Sequence, residues 1–164
     1  MLQQTLTLYK NAYSGLSRPT WLLSFVILIN RAGAMVLPFM TVYLTQELHY
    51  SIEQAGAVMA CFGTGAIIGA YFGGRLTDKF GFSNLQFWSL FLNGFMFIVL
   101  GQMHSIYAIG ACFFVLSIIG ESFRPANSAA VAYYSAPENR TRSYSLNRLA
   151  VNLGFSVGPA VGGI

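Results

Sequence analysis

The chain has 164 residues, of which 55% are hydrophobic and only 9% are charged. A soluble globular domain carries about a quarter charged residues, so this composition excludes an ordinary soluble fold and indicates a membrane protein. The net charge of +4 is small and scattered along the sequence, whereas nucleic-acid binding needs clustered basic residues, so no nucleic-acid partner is expected. Neither the cysteine spacing nor any other motif indicates a metal site, a cofactor or an enzyme active site.

Residues 1–20 form an N-terminal segment that precedes the first long apolar stretch. Leu2, Leu6, Tyr9, Tyr13 and Leu16 recur in it at helical spacing, which is typical of a short helix lying in the membrane interface. A disordered tail is the alternative. A cleaved signal peptide is not expected, because the apolar run that follows is too long for a signal core.

Residues 21–164 are predicted to form a transmembrane bundle of five helices. A spanning helix needs about 20 largely apolar residues. Four stretches meet that requirement, with approximate bounds at 21–44, 52–73, 85–103 and 106–134, and a fifth, at 143–164, is still apolar where the given sequence stops. The connections between them are short, which predicts an up-down arrangement. The second stretch is preceded by Ser51-x-x-Gln54, a capping-box pattern that predicts a helix start at this point.

The basic residues outside the spans lie on one side of the predicted bundle. The first and third connections contain no Lys or Arg, whereas the other side carries Lys10, Arg18, Arg75, Lys79, Arg140 and Arg142. By the positive-inside rule this predicts a multi-pass protein of the cell (inner) membrane with a cytoplasmic N-terminus.

The second connection carries the most specific motif. We expect Gly74 and Gly81 to form tight turns at helix ends, and Asp78 to lie at a helix N-terminus or beside an arginine. The segment resembles the signature loop of the major facilitator superfamily at Gly74, Leu76, Asp78, Lys79 and Gly81. It departs from that pattern at Phe82 and Ser83, which replace basic residues. The resemblance implies a cytoplasmic gate loop.

A second motif lies in the fifth span, at Gly154, Gly158, Pro159, Gly162 and Gly163. In structural terms it predicts a closely packed helix kinked at the proline. It resembles a motif of the same superfamily that is associated mainly with proton-driven antiporters. The two resemblances imply an all-α membrane protein that forms part of a six-helix half of the major facilitator fold.

Small residues also recur every four positions in the second span. A neighbouring helix can approach such a stripe closely. The stripe consists of Ala57, Cys61, Gly65, Gly69 and Gly73.

Charged residues inside the spans are the candidate functional residues. Arg31 lies in the first span, and the fourth carries a polar stripe at Ser117, Glu121, Arg124 and Ser128. A central charge costs about 2.5–3.5 kcal/mol even on insertion scales, so these groups should face protein or water. Glu121 and Arg124, three residues apart, can form an ion pair. An ion network with a purely architectural role is the alternative.

The resemblance implies that the first and fourth helices line a central cavity, which would place these five residues on a substrate and coupling path. We therefore predict a secondary transporter that moves a small molecule by alternating access, with proton-coupled efflux as the specific hypothesis. A lipid bilayer, protons and a missing C-terminal half are the implied partners.

Two alternatives stay open. Residues 123–127 resemble a stretch of proton-coupled peptide symporters, although Ile27 and Asn30 stand where that family has carboxylates. Five spans are also one short of a half, so a truncated, non-transporting fragment or an assembly subunit is the third hypothesis. Reading the coding sequence beyond Ile164 would separate it from a transporter.

Overall fold

The computed structural model describes residues 13–34 and 36–162. These residues form helices and connecting turns and contain no strand, which confirms the all-α prediction. Most of the predicted N-terminal stripe, at residues 2–9, lies outside the described residues. The α-helices are α1 (Arg18–Gly33), α2 (Val36–Val42), α3 (Ile52–Phe80), α4 (Phe82–Leu100), α5 (Ile106–Tyr134) and α6 (Arg140–Gly162).

The region predicted as the first span contains two α-helices. Helix α1 ends at Gly33, α2 begins at Val36, and a π-helical turn, Tyr43–Glu47, follows α2. Pro38 has no N–H to donate to the carbonyl of Ala34, so the backbone ladder is broken where α1 ends. Hydropathy alone does not register this interruption, because residues 32–40 are all apolar or small.

The second connection is much shorter than predicted. Helix α3 continues through Gly74 to Phe80, and α4 begins at Phe82, so Gly81 alone separates the two helices. Gly81 has a φ of 80°, a conformation that glycine adopts at little cost, and its N–H donates to the Thr77 carbonyl at 2.9 Å. The predicted turn at Gly81 is therefore confirmed, and the turn predicted at Gly74 is wrong.

Three of the described helices, α3, α4 and α5, are long and apolar enough to cross a membrane. Helix α3 begins with the predicted capping box. The Ser51 hydroxyl accepts from the Gln54 N–H at 3.3 Å, and the Gln54 side chain accepts from the Ser51 N–H at 2.9 Å. Helix α1 has 16 residues, and α6 begins with several polar side chains, so neither has the same length of apolar sequence.

The chain divides into two compact units. The first comprises residues up to 35 and from 130 onward, and the second comprises residues 36–129. Helices α1 and α6 pack together in the first unit, and α2, α3, α4 and most of α5 form the second.

The second unit has a conventional apolar core. Leu44, Val58, Ile109 and Phe113 are almost completely buried in it. The Phe62 and Phe113 rings pack with their centroids 5.8 Å apart.

In this unit, three glycines of α3 contact the backbone of α5. A methyl group on Gly69 would lie 2.8 Å from Ile118 Cα, and one on Gly73 would lie 2.7 Å from Ser122 Cα. One on Gly65 would overlap Ser117. The small-residue stripe is therefore confirmed as a helix-packing surface at these three positions.

The first unit has a more polar contact. The buried face of α1 consists of Thr20, Ser24, Ile27 and Arg31, three or four residues apart. Gly154 of α6 faces it, and a methyl group there would lie 2.6 Å from the Leu28 carbonyl oxygen. The Ser17 hydroxyl, which caps α1, also donates to the Tyr134 carbonyl at 2.9 Å.

Candidate functional site

The ion pair predicted within the fourth span is present. Arg124 Nη1 donates to Glu121 Oε2 at 2.9 Å, between residues three apart on α5. The Glu121 side chain is 13% exposed and the Arg124 side chain is 59% exposed. The pair lies near the middle of a 29-residue apolar helix, more than 20 Å from its first residue at about 1.5 Å per residue.

The backbone beside this pair is also unusual. Pro125 lies inside α5 and has no N–H, so it cannot donate to the carbonyl of Glu121 four residues earlier. A carboxylate and a guanidinium thus lie within one turn of a proline in this helix. This concentration of polarity is chemically suited to bind a polar group or a proton.

The two serines of the predicted stripe have different surroundings. Ser117 is 1% exposed, its hydroxyl donates to the Phe114 carbonyl at 2.8 Å, and it packs against Gly65 of α3. Ser128 is exposed. The stripe therefore runs from the α3 contact at Ser117 to an exposed surface at Arg124 and Ser128.

Two polar contacts of α5 were not predicted with their partners. The single proton of the Ser122 hydroxyl has two carbonyl acceptors within reach, that of Ile118 on its own helix at 2.7 Å and that of Gly69 on α3 at 3.1 Å. Asn127, which is 3% exposed, accepts from Gln86 of α4 at 3.2 Å. The polarity of Gln86 on an apolar helix was the available signal for the second contact, but its partner could not be read from spacing.

Arg31 belongs to the first unit, and it is 6% exposed. It lies in the last turn of α1, where the helix dipole favours a positive charge. Its Cβ would be 2.7 Å from a methyl group at Gly154, and its guanidinium lies 5.7 Å from the Phe155 ring centroid. A cation over a ring face is stabilised by the ring quadrupole. Arg31 is thus held against the motif of α6, whereas Glu121 and Arg124 belong to the second unit.

The α6 motif continues as helix through Pro159 to Gly162. Gly154 and Gly158 are both buried, and Gly154 is in close contact with α1. Gly163 lies outside the described residues. The predicted close packing is confirmed at Gly154.

The predicted gate residues lie mostly in helix α3. Gly74, Leu76, Asp78 and Lys79 are in its last turns, and Gly81 forms the turn that follows. Asp78 is therefore near a helix C-terminus, where the helix dipole disfavours a carboxylate. Of the two predicted placements, the helix N-terminus is wrong, and pairing with an arginine stays a prediction. The cations of this segment lie over aromatic rings, with Arg75 4.7 Å from the Tyr71 centroid and Lys79 5.3 Å from that of Phe80.

Comparison with known proteins identifies the class to which this helical, membrane-spanning chain belongs. Residues 20–164 match the family model of the Major Facilitator Superfamily, so the chain belongs to that superfamily of membrane transporters.

Several curated relatives carry names that agree with this. An uncharacterized MFS-type transporter of Bacillus subtilis, YqjV, is 30% identical over 138 residues, which are 80% of this chain and 32% of the relative. The multidrug resistance protein MdtG of Proteus mirabilis is 27% identical over 140 residues, 83% of this chain and 35% of the relative. A multi-drug resistance efflux pump PmrA homolog of Lactococcus lactis is 24% identical over 144 residues, which are 86% of this chain and 36% of the relative. The chain thus spans about a third of the length of these relatives.

Proposed function

We propose that this chain supplies part of the N-terminal bundle of a secondary transporter, which exports a small molecule by alternating access and couples export to proton flow. The observation that carries the proposal is the Glu121–Arg124 ion pair, at 2.9 Å, near the middle of an apolar helix. Charges at membrane depth are costly, and by default they mark a pathway for substrate or ions.

The pair has the chemistry that proton coupling needs. Glu121 balances Arg124 while its carboxylate is charged. The exposed Arg124 guanidinium can exchange this carboxylate for another anionic group. That group would come from the substrate or from a carboxylate in the remainder of the transporter.

Export is favoured over import by two observations. The Gly154–Pro159 motif resembles the antiporter motif of the superfamily, and two relatives are named for multidrug resistance or efflux. The peptide-symporter hypothesis is weaker, because Ile27 and Asn30 stand where that group has carboxylates, and Ile27 is buried at 2% exposure.

The relatives' greater length supports a larger working unit. A single bundle cannot enclose a path between two rocking bundles. We therefore propose that the pathway is completed by a C-terminal half, and that the gate segment at residues 74–81 faces the cytoplasm.

The test is an assay in proteoliposomes containing the complete protein. A fluorescent, membrane-permeant cytotoxic compound is the probe, and a proton gradient is imposed in either direction. We expect movement of the compound against the proton flow, complete loss in Arg124→Ala, and unchanged movement in Arg140→Ala, an exposed arginine at the start of α6.

Transport in the Arg124→Ala variant at the wild-type rate would show that the ion pair lies off the pathway. Movement of the compound in the same direction as protons would support the symporter instead. An absence of proton-driven transport, tested across a panel of compounds, would favour the non-transporting alternative.

A further inference from the structure

A polar pocket lies beside the N-terminal end of α6. It has a volume of about 210 Å³ and is lined by Tyr13, Thr141, Arg142 and Ser145. All four side chains carry hydrogen-bonding groups, and Arg142 adds a positive charge. The pocket lies beside the first two turns of a 23-residue helix, the end at which the helix dipole favours an anion. One positive side chain and three hydroxyl groups can hold a phosphate.

An apolar groove adjoins this pocket and shares Tyr13 with it. The groove has a volume of about 240 Å³ and runs between α1 and α6. Its walls are formed mainly by large apolar side chains, namely Trp21, Phe25, Leu28, Leu146, Leu149 and Leu153. The Trp21 and Tyr13 rings contact edge to face, with their centroids 6.3 Å apart.

Ser24 is a polar residue in the wall of this groove. It lines the groove and is only 4% exposed, and its hydroxyl has no hydrogen-bond partner among the described residues. A buried hydroxyl left without a partner costs about 1–3 kcal/mol. An apolar groove with one unused donor therefore fits a ligand that is apolar but carries an acceptor.

We propose that the polar pocket and the apolar groove together bind one anionic glycerophospholipid. Arg142 and the neighbouring hydroxyls hold the phosphate, an acyl chain lies along the groove, and the Ser24 hydroxyl donates to an ester carbonyl. The two cavities share Tyr13, and their charge and polarity follow the order of groups in such a lipid. The positive-inside rule places this end of α6 at the cytoplasmic leaflet, which is rich in anionic lipid.

Free phosphate would occupy the polar pocket but leave the groove empty, whereas a neutral amphiphile would fill the groove without using Arg142. The proposal is also independent of the transport cycle. Lipid binding is measured at equilibrium without a gradient, so a failure of the proposed transport activity does not affect the result.

The experiment is native mass spectrometry of the purified, delipidated native protein, with lipid added back in a titration. Phosphatidylglycerol should bind about fivefold or more tightly than phosphatidylcholine, the preference expected for one arginine at a membrane surface. Arg142→Gln should remove that preference. Arg140→Gln is the matched control, because Arg140 lies in the same turn of α6 but does not line the pocket, and it should keep the preference.

A second pair of variants tests the groove. Leu149→Trp should fill it and lower the affinity for phosphatidylglycerol, whereas Leu22→Trp should not, because Leu22 is 65% exposed on α1 and does not line it. Thermal unfolding of each variant verifies its fold.

The proposal is wrong if the two lipids bind equally, or if the two arginine variants behave alike. It is also wrong if inorganic phosphate displaces the lipid, which would indicate a simple anion site. Failure of the native protein to bind lipid here, because another part of its chain covers the groove, would equally overturn it.

Discussion

Two helix pairs of this chain use glycine for close contact, and they differ in what lies beside the glycines. Between α3 and α5, three glycines face helix backbone, and the surrounding core of the second unit is largely apolar. Between α1 and α6, Gly154 faces a helix whose buried positions include Thr20, Ser24 and Arg31. The difference indicates that the first contact chiefly stabilises its unit, whereas the second also positions a buried charge.

Gly69→Ala should have the largest effect on stability. The added methyl group would meet the backbone of Ile118, which cannot move aside as a flexible side chain could. Overpacking of this kind costs about 1–3 kcal/mol. We expect the free energy of unfolding, measured in mixed micelles, to fall by an amount at the upper end of that range. Gly63→Ala is the matched control on α3, because a methyl group there meets nothing within 4 Å. It should be neutral or stabilising by up to about 1 kcal/mol. Equal effects of the two substitutions would show that α3 and α5 are not in close contact.

Gly154→Ala should affect both stability and transport. Its methyl group would press on the Leu28 carbonyl and on the Arg31 Cβ, so Arg31 must move. We expect a loss of about 1–2 kcal/mol in unfolding free energy and a fall in transport that exceeds the fall in folded protein. Gly33→Ala, on α1 with open space around it, is the control. Wild-type transport per folded molecule in Gly154→Ala would mean that the position of Arg31 is unimportant.

Ser51→Ala should have a smaller effect that is confined to the start of α3. It removes the hydroxyl that caps the Gln54 N–H and should cost about 1 kcal/mol. Ser83→Ala, at an exposed position near the start of α4, is the comparison. The free energy of unfolding should fall further in Ser51→Ala than in Ser83→Ala. A difference below about 0.3 kcal/mol between the two variants would show that the capping box is not maintained in the membrane-inserted protein.

Local chemistry was easier to predict than packing. The capping box at Ser51 and the turn at Gly81 depend on neighbouring residues, so the sequence alone identified them. The small-residue stripe predicted a close helix contact, but it could not specify that α5 was the partner. Gly74 was misassigned as a turn because glycine inside a helix costs only about 1 kcal/mol, which tertiary contacts readily offset.

The candidate site was predictable to a similar extent. The Glu121–Arg124 pair follows from helical spacing, and the structure confirms it. The Gln86–Asn127 hydrogen bond and the stacking of Arg31 on Phe155 each join residues distant in sequence, so they depend on the register between helices. Spacing within one helix carries no information on that register.

The most direct test measures stability and transport on one preparation of Arg124→Ala. The Arg124 side chain of the pair is largely exposed, and such pairs contribute about 0.2–1 kcal/mol. The free energy of unfolding should therefore change by less than about 1 kcal/mol. Proton-driven transport should be abolished in the same sample. Retained transport, or a loss of stability as large as that of Gly69→Ala, would contradict the assignment of this ion pair to function and indicate an architectural role instead.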